Sequence, residues 1–137
     1  QVDGVDYVND SKATNAHAAD SSLASFESIV WILGGLLKGT DPEPVIIKHA
    51  SRIRAAVLLG TETELLKELL AKHLPNIEVT EAGKKDPMAS AVTLASELAN
   101  PGDTVLLAPL AASMDQFQDY ADRGNKFIAA VKDLGVK

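Results

Sequence analysis

Three short stretches of the chain gather most of the residues able to do chemistry. The first is Asn9-Asp10-Ser11-Lys12-Ala13-Thr14-Asn15, a dense polar run with both signs of charge and two hydroxyls. The second, Gly34-Gly35-Leu36-Leu37-Lys38-Gly39, is glycine-rich around one lysine. The third follows Pro109 and contains Ser113-Met114-Asp115-Gln116-Phe117. Two lysines, several hydroxyls and adjoining helix N-termini are equipment for holding a small anion. The sequence shows no paired carboxylate for acid–base work, no nucleophile with a base beside it and no metal cluster. His17, His49 and His73 are scattered without ligand spacing. The glycine–lysine stretch matches neither G-x-x-x-x-G-K-[ST] nor G-x-G-x-x-G. The chain therefore reads as one that holds a ligand without performing bond chemistry alone.

Each of these residues also has a plain structural role open to it. Asp10 or Ser11 can cap the helix that follows, a common use of Asp and Ser, and that reading stands level with ligand binding. Gly34-Gly35 can serve only a tight turn, and a lone loop lysine is usually solvated. Ser113 with Gln116 fits a capping box. Tyr120 falls on an apolar helical stripe, where a core role is expected. Gly124 inside the same helix costs about 1 kcal/mol against alanine, which points to close packing or a neighbouring ligand.

Short β-branched runs alternate with longer helical periodicities from end to end, the pattern of a parallel sheet with crossover helices. Strands are expected at Val5–Asn9, Ser28–Leu33, Ala55–Leu59, Ile77–Thr80 and Thr104–Leu107. Thr61-Glu62-Thr63-Glu64 reads as a capping box before the stripe Leu65, Leu66, Leu69 and Leu70. Asp86-Pro87 reads as an N-cap followed by proline at the first helical position. A helix after Asp41-Pro42 is expected to be shortened by Pro44. The last helix is expected to carry Phe117, Tyr120, Ala121, Gly124, Phe127, Ile128, Val131 and Leu134, with Gly135 as its stop. The fold class is thus α/β: a three-layer, Rossmann-like domain with five mostly parallel strands. Asp3-Gly4 is a hairpin signal with only Gln1 and Val2 before it, so an antiparallel N-terminal strand is expected in truncated form. With no initiator Met, the chain is expected to be a piece of something longer. In such a sheet, ligands bind outside the carboxyl ends of the strands, where the three polar stretches fall. The exits of strands three and four offer only Gly60-Thr61 and Thr80-Glu81.

Composition agrees with this architecture. The chain has 137 residues, 46% hydrophobic and 23% charged, which is one ordinary domain. Thirteen Lys and Arg against 19 Asp and Glu give −6, which excludes the basic stripe a duplex-binding surface needs. No cysteine is present, which excludes a disulfide scaffold or thiolate metal site. The longest apolar stretch, Ile29 to Leu37, is shorter than the roughly 18 residues of a spanning helix. A cytoplasmic domain with no nucleic-acid or membrane partner is expected.

The three stretches, together with Arg123-Gly124-Asn125 and Phe127, resemble in order and along essentially the whole chain the C-terminal domain of the Mur ligases. The resemblance implies an intact enzyme with an N-terminal UDP-substrate domain, a central P-loop ATPase and this domain at residues 1–137, inactive in isolation. It implies a bacterial cytoplasmic ligase of peptidoglycan synthesis. An acyl phosphate forms from the alanyl carboxylate of UDP-N-acetylmuramoyl-L-alanine and ATP, and the amine of D-glutamate attacks it. ATP and Mg belong to the intact enzyme, with the metal ligands outside this domain, and a monomer is implied. The family places the last strand between the first two. Thr14 and Lys38 match positions holding one carboxylate of D-glutamate, and Ser113 and Tyr120 match those at the other, with Met114 lining the pocket. Lys12 matches a catalytic lysine close to the phosphates, and Asp10 an acid that contacts the nucleotide ribose. Tyr120 replaces a phenylalanine common in relatives. Leu36 and Leu37 replace a more polar filling and, if exposed, imply packing on the central domain or poor solubility. A lysine about 4 Å from a carboxylate is worth about 4 kcal/mol at an effective dielectric of about 20, so local lysines outweigh a screened net charge. A ligase of the same superfamily adding another amino acid, or a non-catalytic nucleotide-binding-like module, are the competing readings.

Overall fold

Alternation of side chains along continuously apolar strands decides the layering. In the computed structural model, which describes residues 2–37, 41–111 and 117–135, ten elements follow in strict alternation. They are β1 (Asp6–Asn9), α1 (Ala16–Leu23), β2 (Ile29–Gly34), α2 (Glu43–Lys48), β3 (Ile53–Leu59), α3 (Glu64–His73), β4 (Glu78–Glu81), α4 (Pro87–Leu98), β5 (Thr104–Leu107) and α5 (Tyr120–Gly135). All strand pairs are parallel, in the order β1-β5-β2-β3-β4. Central β2 and β5 are buried throughout, as strands covered on both faces must be, whereas the edges β1 and β4 are only partly covered.

Ile29, Trp31 and Leu33 point to one face with Leu58 and Leu106, where Leu23, Ile46, Leu66 and Leu70 of α1 to α3 cover them. Val30 and Ile32 point the other way with Val57, Val105 and Leu107, under Met88, Val92 and Phe127 of α4 and α5. This is the expected three-layer α/β unit. The expected N-terminal antiparallel strand is represented by one bridge, Val2 with Val5, across Asp3 (φ 52°) and Gly4 (φ 81°). Val5 belongs to that bridge and β1 begins one residue later.

Several helix starts differ from expectation. The α3 helix opens at Glu64 with Thr63 at the cap position, but the Thr63 hydroxyl donates to the Glu81 carboxylate at 2.6 Å instead of accepting a helix N–H. The expected box needs Thr61 at the cap with Glu64 third in the helix, but the helix starts two residues later and Glu64 is its first residue. Asp86 does precede Pro87, yet it sits at φ 51°, ψ 63° and makes no side-chain cap. Capping needs extended backbone at that residue. Pro44 lies in the first turn of α2, where its missing N–H costs nothing, so it does not end the helix; the chain turns at His49. The last helix starts at Tyr120, after Phe117, because the Asp119 carboxylate accepts from the Asp122 N–H at 2.8 Å. Ser113 and Gln116, expected as a capping box, lie outside the described residues.

Candidate functional site

The exits of β1, β5 and β2 are joined by backbone hydrogen bonds. Asp10 N–H donates to Leu107 O at 2.8 Å, Leu110 N–H to Ala13 O at 2.8 Å, and Gly34 N–H to Pro109 O at 2.9 Å. Exit five is thus stitched between exits one and two, so the described residues of the three exits meet at one end of the sheet. Two glycines make the approach possible. Gly34 and Gly35 hold φ of 122° and 135°, and a Cβ on Gly34 would stand 2.2 Å from Leu59 O. The turn role of this pair is real, and only glycine fits it.

Loop one resolves the two readings of its acid and hydroxyl. Asn15, at φ −146°, caps α1 by accepting from Ala18 N–H at 2.9 Å, so neither Asp10 nor Ser11 is the cap. The side chains of Asp10 and Lys12 make no hydrogen bond or ion pair among the described residues. Both line a depression of about 210 Å³ with Tyr120, Gly124 and Asn125. Ser11 is buried: its hydroxyl donates to Tyr120 O at 2.6 Å and accepts from Arg123 Nε at 3.0 Å. Tyr120 is 44% exposed at the first turn of α5, which corrects its expected core role. It lines the depression, and its carbonyl is held by the Ser11 hydroxyl. Gly124 does mark close packing, since a Cβ there would meet Asn9 Nδ2 at 2.9 Å and Ser11 Cβ at 3.2 Å.

Thr14 is half-buried on the same loop and does not line that depression. Lys38, Ser113 and Met114 lie outside the described residues. Leu37 joins the core and Leu36 is half-buried, so the pair is not the exposed patch that would have called for another domain to cover it. Arg123 is the residue that sequence reasoning undervalued. It is 1% exposed, with Nη1 on Ala111 O at 3.0 Å and Nη2 on Ser11 O at 2.8 Å, so one guanidinium ties exit one, exit five and α5. Its position four residues before buried Phe127, on the core-facing stripe, was the available signal.

Elsewhere two acids are bound up with histidines and lysines. His49 Nε2 lies 2.6 Å from Asp20, which also accepts from Lys48; these two hydrogen bonds, His49 first, hold the Asp20 carboxyl below its usual range and tie α1 to α2. Glu43 is lowered likewise by His73 and Lys72. Among the described residues no group of three His, Cys, Asp or Glu is placed to hold a metal. A hollow of about 600 Å³ lies beside edge strand β4 and α3, lined by none of the residues of the three joined exits. Its Lys67 and Glu81 pair at 2.7 Å and leave no net charge to recruit an ion.

Five parallel strands in the order β1-β5-β2-β3-β4 between two layers of helices define a Rossmann-like α/β domain, with a switch point where β5 inserts between β1 and β2. Residues 1–110 match the family described as "Mur ligase, glutamate ligase domain", and the chain belongs to that family. It is 52% identical over 136 residues, 98% of its length, to a UDP-N-acetylmuramoylalanine–D-glutamate ligase of Streptomyces coelicolor (strain A3(2)). Like-named relatives include those of Thermobifida fusca (strain YX), 53% over 135 residues, and Mycobacterium avium (strain 104), 43% over 159 residues. It covers 97% and 96% of itself in those two alignments. The chain spans about 29% of the length of the first two relatives and 32% of the third. No helix among the described residues is long and apolar enough to cross a membrane.

Proposed function

We propose that this chain is the C-terminal, amino-acid-binding domain of an ATP-dependent ligase that adds D-glutamate to UDP-N-acetylmuramoyl-L-alanine through an acyl phosphate, in the cytoplasm of a bacterium building peptidoglycan. The observation that supports this reading is the stitching of exits one, five and two, the strand ends from which the quoted loops leave. Thr14 and Lys38 take one carboxylate of D-glutamate; Ser113 and Tyr120 take the other, with Met114 against the carbon chain. The exposed ammonium of Lys12 faces the phosphates. The Asp10 carboxylate, not engaged as a helix cap and set in the depression beside Lys12, suits a ribose hydroxyl of ATP. ATP supplies the phosphoryl group that activates the alanyl carboxylate. In this reading Mg is held by other parts of the whole enzyme. This domain's contribution is positioning: holding the amine in line with the acyl phosphate supplies effective molarity worth up to about 7–11 kcal/mol. The enzyme works as a monomer in this reading, with the domain closing over ATP.

The test is steady-state kinetics of the full-length ligase. Lys38→Ala raises KM for D-glutamate at least about tenfold, the loss of one charge-assisted contact, with KM for the UDP substrate unchanged. An unchanged KM for D-glutamate contradicts the site. Preference for another amino acid over D-glutamate in the wild type would favour a different Mur-type ligase.

A further inference from the structure

We infer that Trp31 is a positioning residue for the amino-acid pocket, its indole holding the backbone segment Ala108–Leu110 that joins exit five to exits one and two. The inference rests on the placement of D-glutamate between loops one and five proposed above. Trp31 is the single tryptophan of the chain, fully buried in the middle of β2 beside Leu106 of β5. Its Nε1 donates to Ala108 O at 2.8 Å. Ala108 follows the last residue of β5, and a buried carbonyl left without a donor there costs as much as a lost hydrogen bond. A phenylalanine or leucine would fill this part of the core. What tryptophan adds is an N–H aimed at that carbonyl.

The next two residues are held as firmly. Pro109 O accepts from Gly34 N–H at 2.9 Å, and Leu110 gives its N–H to Ala13 O at 2.8 Å. Leu110 is fully buried at φ 66°, a left-handed conformation rare for a bulky side chain. Such strain persists only where the surroundings over-determine it. The indole, Gly34 and Ala13 bonds are those surroundings. Ala13 precedes Thr14, and Leu110 stands three residues before Ser113. The chain of contacts from Trp31 through Leu110 to Ala13 therefore sets where loop five leaves the sheet relative to Thr14. A dicarboxylate gripped at both ends is sensitive to that spacing, whereas ATP is not.

In the full-length ligase, Trp31→Phe keeps an aromatic ring and removes the N–H. It raises KM for D-glutamate about tenfold, the equivalent of about 1.4 kcal/mol, with kcat and KM for ATP changed less than about twofold. Val92→Ala, in the core of the opposite face, lowers stability without touching the exits and leaves KM for D-glutamate unchanged. Thr14→Ala is measured alongside. If Thr14→Ala raises this KM and Trp31→Phe does not, or if Val92→Ala raises it equally, the inference on Trp31 is overturned alone. If Thr14→Ala has no effect, the pocket assignment falls and this inference with it. Should Trp31→Phe not fold, 5-fluorotryptophan in the wild-type chain gives one fluorine resonance. D-glutamate shifts it if the indole braces the pocket, and a stationary line overturns the inference.

Discussion

The two ends of the β-sheet are built on opposite principles. At the N-terminal end, Asp103 collects Arg54 at 2.8 Å, the Ser28 hydroxyl at 2.6 Å and the Asn100 N–H at 2.8 Å, tying the starts of β2, β3 and β5 into one closed cluster. Burial works against the charge, but Arg54, Asn100 and Ser28 together hold the Asp103 carboxyl below its usual range. At the C-terminal end the backbone is bonded just as thoroughly, through Asp10, Leu110 and Gly34, yet the side chains of Asp10 and Lys12 are left out of the network. One end satisfies its polar groups internally and contributes stability. The other satisfies its backbone and Arg123 and leaves the side chains of Asp10 and Lys12 outside the network.

Substitutions at the two ends should separate these roles. The largest effect is expected from Gly34→Ala, which places a Cβ against Leu59 O at a positive φ; a loss of about 3 kcal/mol or more in chemical denaturation is expected. Asp103→Ala should cost about 2–3 kcal/mol, since it strands Ser28, Asn100 and a half-exposed Arg54, while D-glutamate binding by the remaining folded protein is unchanged. Thr14→Ala should do the reverse: stability within about 0.5 kcal/mol, with D-glutamate affinity reduced about tenfold by calorimetry or kinetics.

Acid should also weaken the closed end. The folded Asp103 carboxyl titrates below the ordinary value of 3.8, so its contribution is complete above that pH and is lost as pH falls through the folded value. Denaturation curves from pH 6 downward should show stability declining below about pH 4, less steeply in Asp103→Asn; Asp20, Glu43 and Glu81, also lowered, account for the remaining slope. The smallest effect is expected from Gly124→Ala. About 1 kcal/mol of helix propensity is regained and largely offset by contact with Asn9 and Ser11, so melting changes little while loop one shifts.

The strands and their faces were legible in the sequence because each is a short apolar run whose alternate residues must find separate layers. Ile29 to Leu33 is the clearest case. Strand order was not contained in periodicity and came from the family resemblance, because nothing local states that β5 inserts between β1 and β2. Capping misled where the motif did not fix the helix start: α3 opens at Glu64, two residues after the box on Thr61 requires, and Thr63 bonds Glu81 instead of a helix N–H. Tyr120 was misplaced because an apolar stripe does not reveal which of its residues the first helical turn leaves exposed. Arg123 and Trp31 were undervalued for a related reason: both bond backbone carbonyls that only the assembled exits bring within reach.

The central claim is that the C-terminal end of the sheet, and not its closed opposite end, receives D-glutamate. Amide chemical-shift mapping on this chain during titration with D-glutamate tests it most directly. The account predicts shifts at Asp10, Lys12, Thr14, Gly34, Gly35 and Leu110, abolished or weakened in Thr14→Ala, with Ser28, Arg54 and Asp103 unmoved. Shifts centred on Asp103 or on the hollow beside β4, or a response identical in Thr14→Ala, would contradict it.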